Sequence, residues 1–133
     1  MESTTNQPIL NAVAATGVGA AMYVKDYRHI VLELSTSGIG GGESATVKFA
    51  AANSETSPTF SAAQSSSNIW DYIQVIDLED GSAIDGDTGV TITGANDVRR
   101  FEIQSNGATW INAEITAVTG TVAVSVAGSA YLN

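Results

Sequence analysis

The sequence predicts an all-β fold: a single antiparallel β-sandwich, jelly-roll or Ig-like, with eight or nine strands. Three observations predict it. Short runs rich in β-branched and aromatic residues recur along the chain. Turns rich in Gly, Asn, Asp and Ser separate these runs, and no helical pattern of useful length interrupts them. Short strands with this spacing, separated by such turns, are typical of β-sandwiches and β-barrels.

Two segments are distinguished along the chain. Residues 1–8 are polar and acidic and predict a flexible N-terminal arm, and residues 9–133 predict one β-sandwich domain. A chain of 133 residues is long enough to bury one core without disulfides or metals. The predicted strands occupy residues 9–15, 20–24, 28–34, 45–51, 70–78, 90–93, 98–104, 110–116 and 121–131.

Each strand is justified by alternation of apolar and polar residues. In residues 28–34, Ile30, Leu32 and Leu34 share one face, because side chains in a strand alternate with a period of two. Asn106-Gly107 between residues 98–104 and 110–116 predicts that these two strands form a hairpin. The residues predicted to face the core are Ile30, Leu32, Leu34, Val47, Phe49, Ile73, Val75, Ile92, Phe101, Ile103, Ile111, Ile115, Val122, Val124 and Val126.

Two long connections interrupt the strands. Residues 35–44 are glycine-rich, but they lack the Lys and the following helix of a phosphate-binding loop. Residues 53–68 are Ser-rich and contain one large apolar residue, Phe60. A loop of this length without secondary structure is usually functional or mobile.

Composition excludes several classes of function. The net charge of −9 repels nucleic acid phosphates and anionic lipid, so we expect neither nucleic acid nor a membrane as a partner. The absence of Cys excludes a disulfide scaffold. The N-terminus lacks the pattern of a signal peptide, and no apolar run is long enough to span a bilayer. We therefore expect a soluble chain that folds in a cytoplasm.

The acidic segment 77–87 is the candidate for a metal site. Calcium is bound by six to eight oxygens, which clustered carboxylates on a turn can supply. The spacing does not match an EF-hand, and Asp and Gly are also the ordinary residues of a turn that joins two strands. We favour the turn and expect no cofactor, with calcium as the alternative. The candidate ligands are Asp77, Glu79, Asp80, Asp85 and Asp87.

No catalytic motif is found. His29 is the single histidine, and without Cys it forms neither a zinc site nor a Cys–His pair. The sequence has no G-x-S-x-G motif, and His29 lies within a predicted strand. We therefore expect a structural histidine and a protein that is not an enzyme.

Five residues are candidates for an interface. Trp70, Tyr72 and Trp110 are either interface aromatics or a stacking platform for a sugar. Trp110 is out of phase with Ile111, so we expect it to point away from the core. Arg99 and Arg100 face opposite sides of one strand, and the one that is not exposed to solvent or a partner needs an acidic neighbour such as Glu102 or Asp97.

Six strings along the chain carry a resemblance to a known family. They begin at Pro58 (PTFSAAQ), Asn68 (NIWDYIQVIDLEDGS), Gly86 (GDTGV), Phe101 (FEI), Trp110 (WI) and Thr119 (TGTVAV). Together they resemble small β-sandwich virion proteins of tailed bacteriophages, which decorate or cement capsids or build tail and fibre parts. The similarity covers most of residues 9–127, and its motifs are structural, so no functional residue carries over.

The resemblance and the composition together predict a non-enzymatic virion structural protein. We expect a capsid decoration or cement protein that stabilises the phage head, assembled in the host cytoplasm and located in the virion. Its partners would be the major capsid protein and copies of itself, as a homotrimer. The alternative is a tail-associated or fibre-associated module that binds a carbohydrate or receptor.

Overall fold

The computed structural model describes residues 4–104 and 107–132, except for the side chain of Gln104. The described residues form twelve β-strands and no helix, so no helix there is long and apolar enough to cross a membrane. The strands are β1 (Thr4–Val13), β2 (Gly17–Val18), β3 (Met22–Tyr23), β4 (His29–Ser37), β5 (Ser44–Ala52), β6 (Asp71–Tyr72), β7 (Val75–Asp77), β8 (Ala83–Ile84), β9 (Val90–Thr93), β10 (Val98–Gln104), β11 (Trp110–Thr119) and β12 (Ala123–Tyr131).

The strands form two antiparallel sheets. The first sheet has the order β1-β12-β4-β10-β7-β8. In the second sheet, β11 and β5 are the central pair. The short strands β2 and β3 pair with the outer side of β11, and β6 and β9 pair with the outer side of β5. The prediction of an all-β antiparallel fold is confirmed.

The core lies between the two sheets. The inward-facing residues of both sheets form one hydrophobic cluster, and the rings of Phe49 from the second sheet and Phe101 from the first are 5.7 Å apart. Every residue predicted to face the core is buried except Ile73, which is partly buried against the same cluster. Alternation therefore identified the inner face of β4, β5, β10, β11 and β12, whereas the buried Ile9 and Leu10 of β1 were not among the predicted residues.

The number of strands differs from the predicted eight or nine. The segment 70–78 was expected to be one strand, but it is divided into β6 in the second sheet and β7 in the first. Between them, the backbone N–H of Ile73 donates to the carbonyl of Phe49 at 2.8 Å. The chain crosses from one sheet to the other here, and β2, β3 and β8 are two-residue pieces at the sheet edges.

The predicted hairpin of residues 98–104 and 110–116 is also wrong. β10 pairs with β4 and β7 in the first sheet, whereas β11 pairs with β5, β2 and β3 in the second. Both strands direct apolar residues into one core from opposite sides, and this burial outweighs the local turn signal. Asn106 of that signal lies outside the described residues.

The N-terminal residues form part of the first sheet. Residues 4–8 were expected to be a flexible arm, but they pair with β12, from Thr4 opposite Tyr131 to Pro8 opposite Ala127. Pro8 is tolerated because an edge strand leaves some N–H groups unpaired. The side-chain amide of Gln7 also donates to the carbonyls of Ala20 and Ala21, both at 3.2 Å. Residues 1–3 of the predicted arm lie outside the described residues.

Candidate functional site: an aromatic face on the second sheet

The outer face of the second sheet carries aromatic side chains instead of the usual solvated polar surface. As predicted, Trp110 points away from the main core. Its ring contacts Tyr23 of the neighbouring β3 edge to face, with centroids 5.1 Å apart. Tyr23 is 44% exposed and Trp110 is half-buried. We call the five residues of this surface the aromatic face: Tyr23, Phe60, Trp70, Tyr72 and Trp110.

Trp70 is the buried centre of this face. It is 8% exposed, and it packs with Phe60, Ala50 and Ala52 in a second hydrophobic cluster on the outer side of the sheet. Its indole N–H donates to the carbonyl of Ala62 at 3.2 Å. Trp70 therefore stabilises the loop above the sheet, and it is not presented to a partner as the sequence suggested.

The loop of residues 53–69 covers one side of the aromatic face and is held by Asn68. The side-chain oxygen of Asn68 accepts from the N–H of Thr59 at 2.9 Å, and its amide donates to the carbonyls of Thr59 and Ala63 at 2.9 and 3.1 Å. Asn68 also pairs with Ser65 through two backbone hydrogen bonds of 3.1 Å. The Ser-rich stretch is thus a structured part of the site.

A polar cluster lies beside the aromatic residues. The hydroxyl of Tyr72 donates to Oε1 of Glu114 at 2.6 Å, and Nζ of Lys48 lies 5.0 Å from the centre of the Tyr72 ring. Burial, the hydrogen bond to Glu114 and the charges of Glu114 and Asp87 raise the pKa of Tyr72 to about 12. Burial first, and then Glu114 and the charge of Asp87, therefore favour the protonated hydroxyl of Tyr72 as a donor.

A groove of about 400 Å³ runs between the loop and this polar cluster, lined by Phe60, Trp70, Tyr72, Glu114 and residues 61–64. A sugar-stacking platform would present exposed, coplanar rings in such a groove. Instead, the planes of Trp70 and Tyr72 are inclined at 81° to each other, and Trp70 is buried. The arrangement fits a protein contact through Tyr23 and Trp110 better than a sugar platform.

The acidic segment 77–87 consists of turns. In the described part of the chain, no group of three or more His, Asp or Glu side chains is placed to hold a metal ion. Instead, the carboxylates of Asp77, Asp80 and Asp85 each accept a backbone N–H two residues later, at 2.8–2.9 Å. Hydrogen bonds from Ser82 lower the pKa of Asp80. These are the local turn bonds typical of Asp.

Glycine is required where this segment passes the second sheet. A Cβ atom at Gly86 would lie 2.7 Å from the backbone of Tyr72 and Ile73. Gly89 has a positive φ of 73°, and its Cβ would lie 2.8 Å from the carbonyl oxygen of Val47. These two glycines therefore allow the chain to pack closely on the second sheet.

The two arginines do face opposite sides of β10. Arg100 is exposed on the outer face of the first sheet, whereas Arg99 is partly buried and forms an ion pair with the carboxylate of Asp77. The guanidinium of Arg99 also lies over the ring of Phe101, 5.2 Å from its centre. The acidic neighbour is therefore Asp77 on β7, and not Glu102 or Asp97 as expected.

His29 is remote from the aromatic face. It is exposed at the start of β4 in the first sheet, opposite Tyr131 on β12 and Gln104 on β10. Sequence reasoning missed Tyr23, Lys48 and Glu114. Tyr23 could have been found, because Met22 and Val24 on either side of it are apolar and face inward.

Comparison with known proteins identifies the fold. No protein-family model matches the chain, and no curated protein matches it. Among solved structures it is similar to the SPBc2 prophage-derived protein YomS, with a TM-score of 0.60, 17% identity, and coverage of 96% of this chain and 91% of YomS. It is also similar to the PBSX exported protein XepA, with a TM-score of 0.63 and 19% identity. That match covers 96% of this chain but 37% of XepA, so the chain spans little more than a third of that neighbour. The chain thus shares its fold with a prophage-derived protein and with part of an exported one.

Proposed function

We propose that this chain is a non-enzymatic structural protein of a bacteriophage particle, and that it decorates the capsid by binding the major capsid protein through its aromatic face. The observation that carries this proposal is the second hydrophobic cluster on the outside of the second sheet. A solvated sheet face does not need buried aromatic residues, whereas protein interfaces are enriched in Tyr and Trp.

The structure of the face supports a rigid contact. Trp70 and the Asn68 bonds fix the loop, and Tyr23 and Trp110 contact each other beside it. A partner therefore meets side chains that are already ordered, which lowers the entropic cost of binding. The sequence resemblance to virion proteins and the fold shared with a prophage-derived protein agree with this role.

Decoration requires a preference for the assembled shell over free subunits. A protein that binds only the assembled lattice stabilises it by mass action. The net charge of −9 also keeps a protein of high copy number soluble before it binds. The alternative of a sugar-binding tail module would need exposed coplanar rings, and Trp70 and Tyr72 do not provide them.

The test is co-sedimentation with capsids of the phage that encodes the chain, compared with unassembled capsid subunits. We expect the wild-type protein to sediment with assembled capsids but not to bind free capsid subunits. It should also raise the melting temperature of the capsids. Tyr23→Ser should weaken this binding at least tenfold while the isolated protein keeps its melting temperature, because Tyr23 is half-exposed.

Asp80→Ser is the control, because Asp80 is exposed in the turn after β7 of the first sheet, away from the aromatic face on the second sheet. It should bind capsids as the wild type does. Electron microscopy of the intact particle would then locate the protein. Density for the chain in the tail, or on no part of the particle, would reject the decoration role.

A further inference from the structure

We propose that the outer face of the first sheet is a self-complementary surface on which two copies of this chain pair about a two-fold axis. This inference does not depend on the proposed attachment to a capsid, because it concerns the opposite side of the molecule. It also replaces the trimer expected from the sequence with a two-fold pair.

The surface has a ridge and two grooves. Val98 on β10 is 69% exposed and Leu78, just after β7, is 44% exposed. On one side of Val98 lies a groove of about 410 Å³ that is lined by the small residues Ser35, Ser125 and Ala127 and by larger ones such as Pro8 and Glu33. On its other side a groove of about 270 Å³ is lined by Leu78 and Arg100. Apolar side chains thus project next to spaces that could accept them.

The strand register places these residues in two rows across the sheet. In one row, Ala127 lies opposite Glu33, Glu33 lies opposite Arg100, and the N–H of Leu78 donates to the carbonyl of Arg100 at 3.0 Å. In the next row, Ser125 lies opposite Ser35 and Ser35 lies opposite Val98. Each row therefore begins with a small residue on β12 and ends with an apolar residue. That residue is Leu78, just after β7, in the first row and Val98 on β10 in the second.

We place a two-fold axis between β4 and β10, parallel to both strands. Rotation about this axis would place each row of the second copy over the same row of the first copy, running in the opposite direction. Arg100 of the second copy would then lie over Glu33, and Val98 of the second copy would lie over Ser35 in the larger groove. Leu78 of the second copy would lie over Ala127. Each contact joins a base with an acid or a large apolar side chain with a small one, and the axis produces each of them twice.

The size of the face is at the low end of what such a contact needs. Its five strands β1, β12, β4, β10 and β7 have 10, 9, 9, 7 and 3 residues, and at about 3.4 Å by 4.8 Å per residue they cover roughly 620 Å². Stable interfaces bury about 800 Å² per partner. Arg100 is exposed and is one of five basic residues in the chain, and its cross-strand neighbour is Glu33. The axis would therefore place each Arg100 next to the Glu33 of its own chain and over the Glu33 of the other copy, so the charges of the two copies would be complementary.

The test is the mass in solution, measured by sedimentation equilibrium from about 1 µM to about 1 mM, a range that covers moderate and weak affinities. We expect the 13.7 kDa chain to reach twice that mass within the range. Arg100→Glu and Glu33→Arg should each abolish the pairing, because each places like charges face to face. The matched control is Glu55→Arg, in the loop on the other side of the molecule, which should leave pairing unchanged.

The decisive measurement mixes the two charge-reversed variants. In a mixed pair, the acid at position 100 of R100E faces the base at position 33 of E33R, and the remaining Arg100 and Glu33 face each other. The mixture should therefore form pairs although neither variant does so alone. A change within one chain cannot produce this result, so folding defects do not imitate it. Wild-type protein that stays monomeric at about 1 mM, or a mixture that stays monomeric, would overturn the inference.

Discussion

The outer faces of the two sheets differ in the side chains that they carry and in how far those side chains are buried. The outer face of the first sheet carries small, polar and charged residues, with Val98 and Leu78 as exposed apolar exceptions. The outer face of the second sheet carries a buried tryptophan under a structured loop. The first face is thus a surface made by strands alone, whereas the second is a small additional core. The difference teaches that only the second face contributes substantially to the stability of the monomer.

The largest expected effect is that of Trp70→Ala. We expect it to lower the free energy of unfolding by about 3–5 kcal/mol, because it leaves a cavity under the loop and removes the bond to Ala62. Urea denaturation measures the loss. Trp110→Ala is the matched control, and because Trp110 is half-buried it should cost about half as much. Equal losses would mean that the outer cluster is not a second core.

A smaller effect is expected for Asp77→Asn on the inner side of the first sheet. It leaves the partly buried guanidinium of Arg99 without its counter-charge, so we expect a loss of about 2–3 kcal/mol. Asp80→Asn makes a matched control, since Asp80 is exposed and also accepts a backbone N–H. It should leave the free energy of unfolding nearly unchanged, because Asp80 is fully exposed. If both variants lose the same stability, the ion pair contributes nothing specific.

The smallest effect concerns the pH dependence of the second face. The fold raises the pKa of Tyr72 from 10.0 to about 12, so it favours the protonated hydroxyl. This contribution is fully present below pH 10, and it is lost as the pH rises from 10 to about 12. Solvent screening limits it to about 1 kcal/mol.

Tyr72→Phe should therefore remove part of the alkaline loss of stability, measured by melting temperature between pH 9 and pH 12. Glu114→Gln should reduce the same pH dependence while keeping an acceptor for the hydroxyl, because it removes the neighbouring negative charge. An unchanged pH profile in both variants would show that Tyr72 is not coupled to this face.

The sequence predicted what depends on alternation. Ile30, Leu32 and Leu34 face the core as expected, because burial of one face imposes a period of two. The outward direction of Trp110 followed from the same argument. The bond from Asn68 to Thr59 and the pair of Arg99 with Asp77 could not be predicted, because they join residues from segments whose relative placement is set by the complete fold.

The hairpin prediction failed for a related reason. A turn signal reports local geometry, but it does not state in which sheet each strand finds its partners. β10 and β11 are adjacent in the chain and lie in opposite sheets. The sequence singled out Trp70, Tyr72 and Trp110 and missed Tyr23, and the division into a buried Trp70 and half-exposed Tyr23 and Trp110 depends on the loop above them.

The pairing of Thr4 with Tyr131 brings the two ends of the described chain to one corner of the first sheet. A tag, a fluorescent reporter or a second module could be fused there at either end through a short linker. Circular permutation, with the old ends joined and new ones opened in a distant loop, should be tolerated as well. The fold therefore offers one corner of the first sheet for attaching a foreign peptide or module.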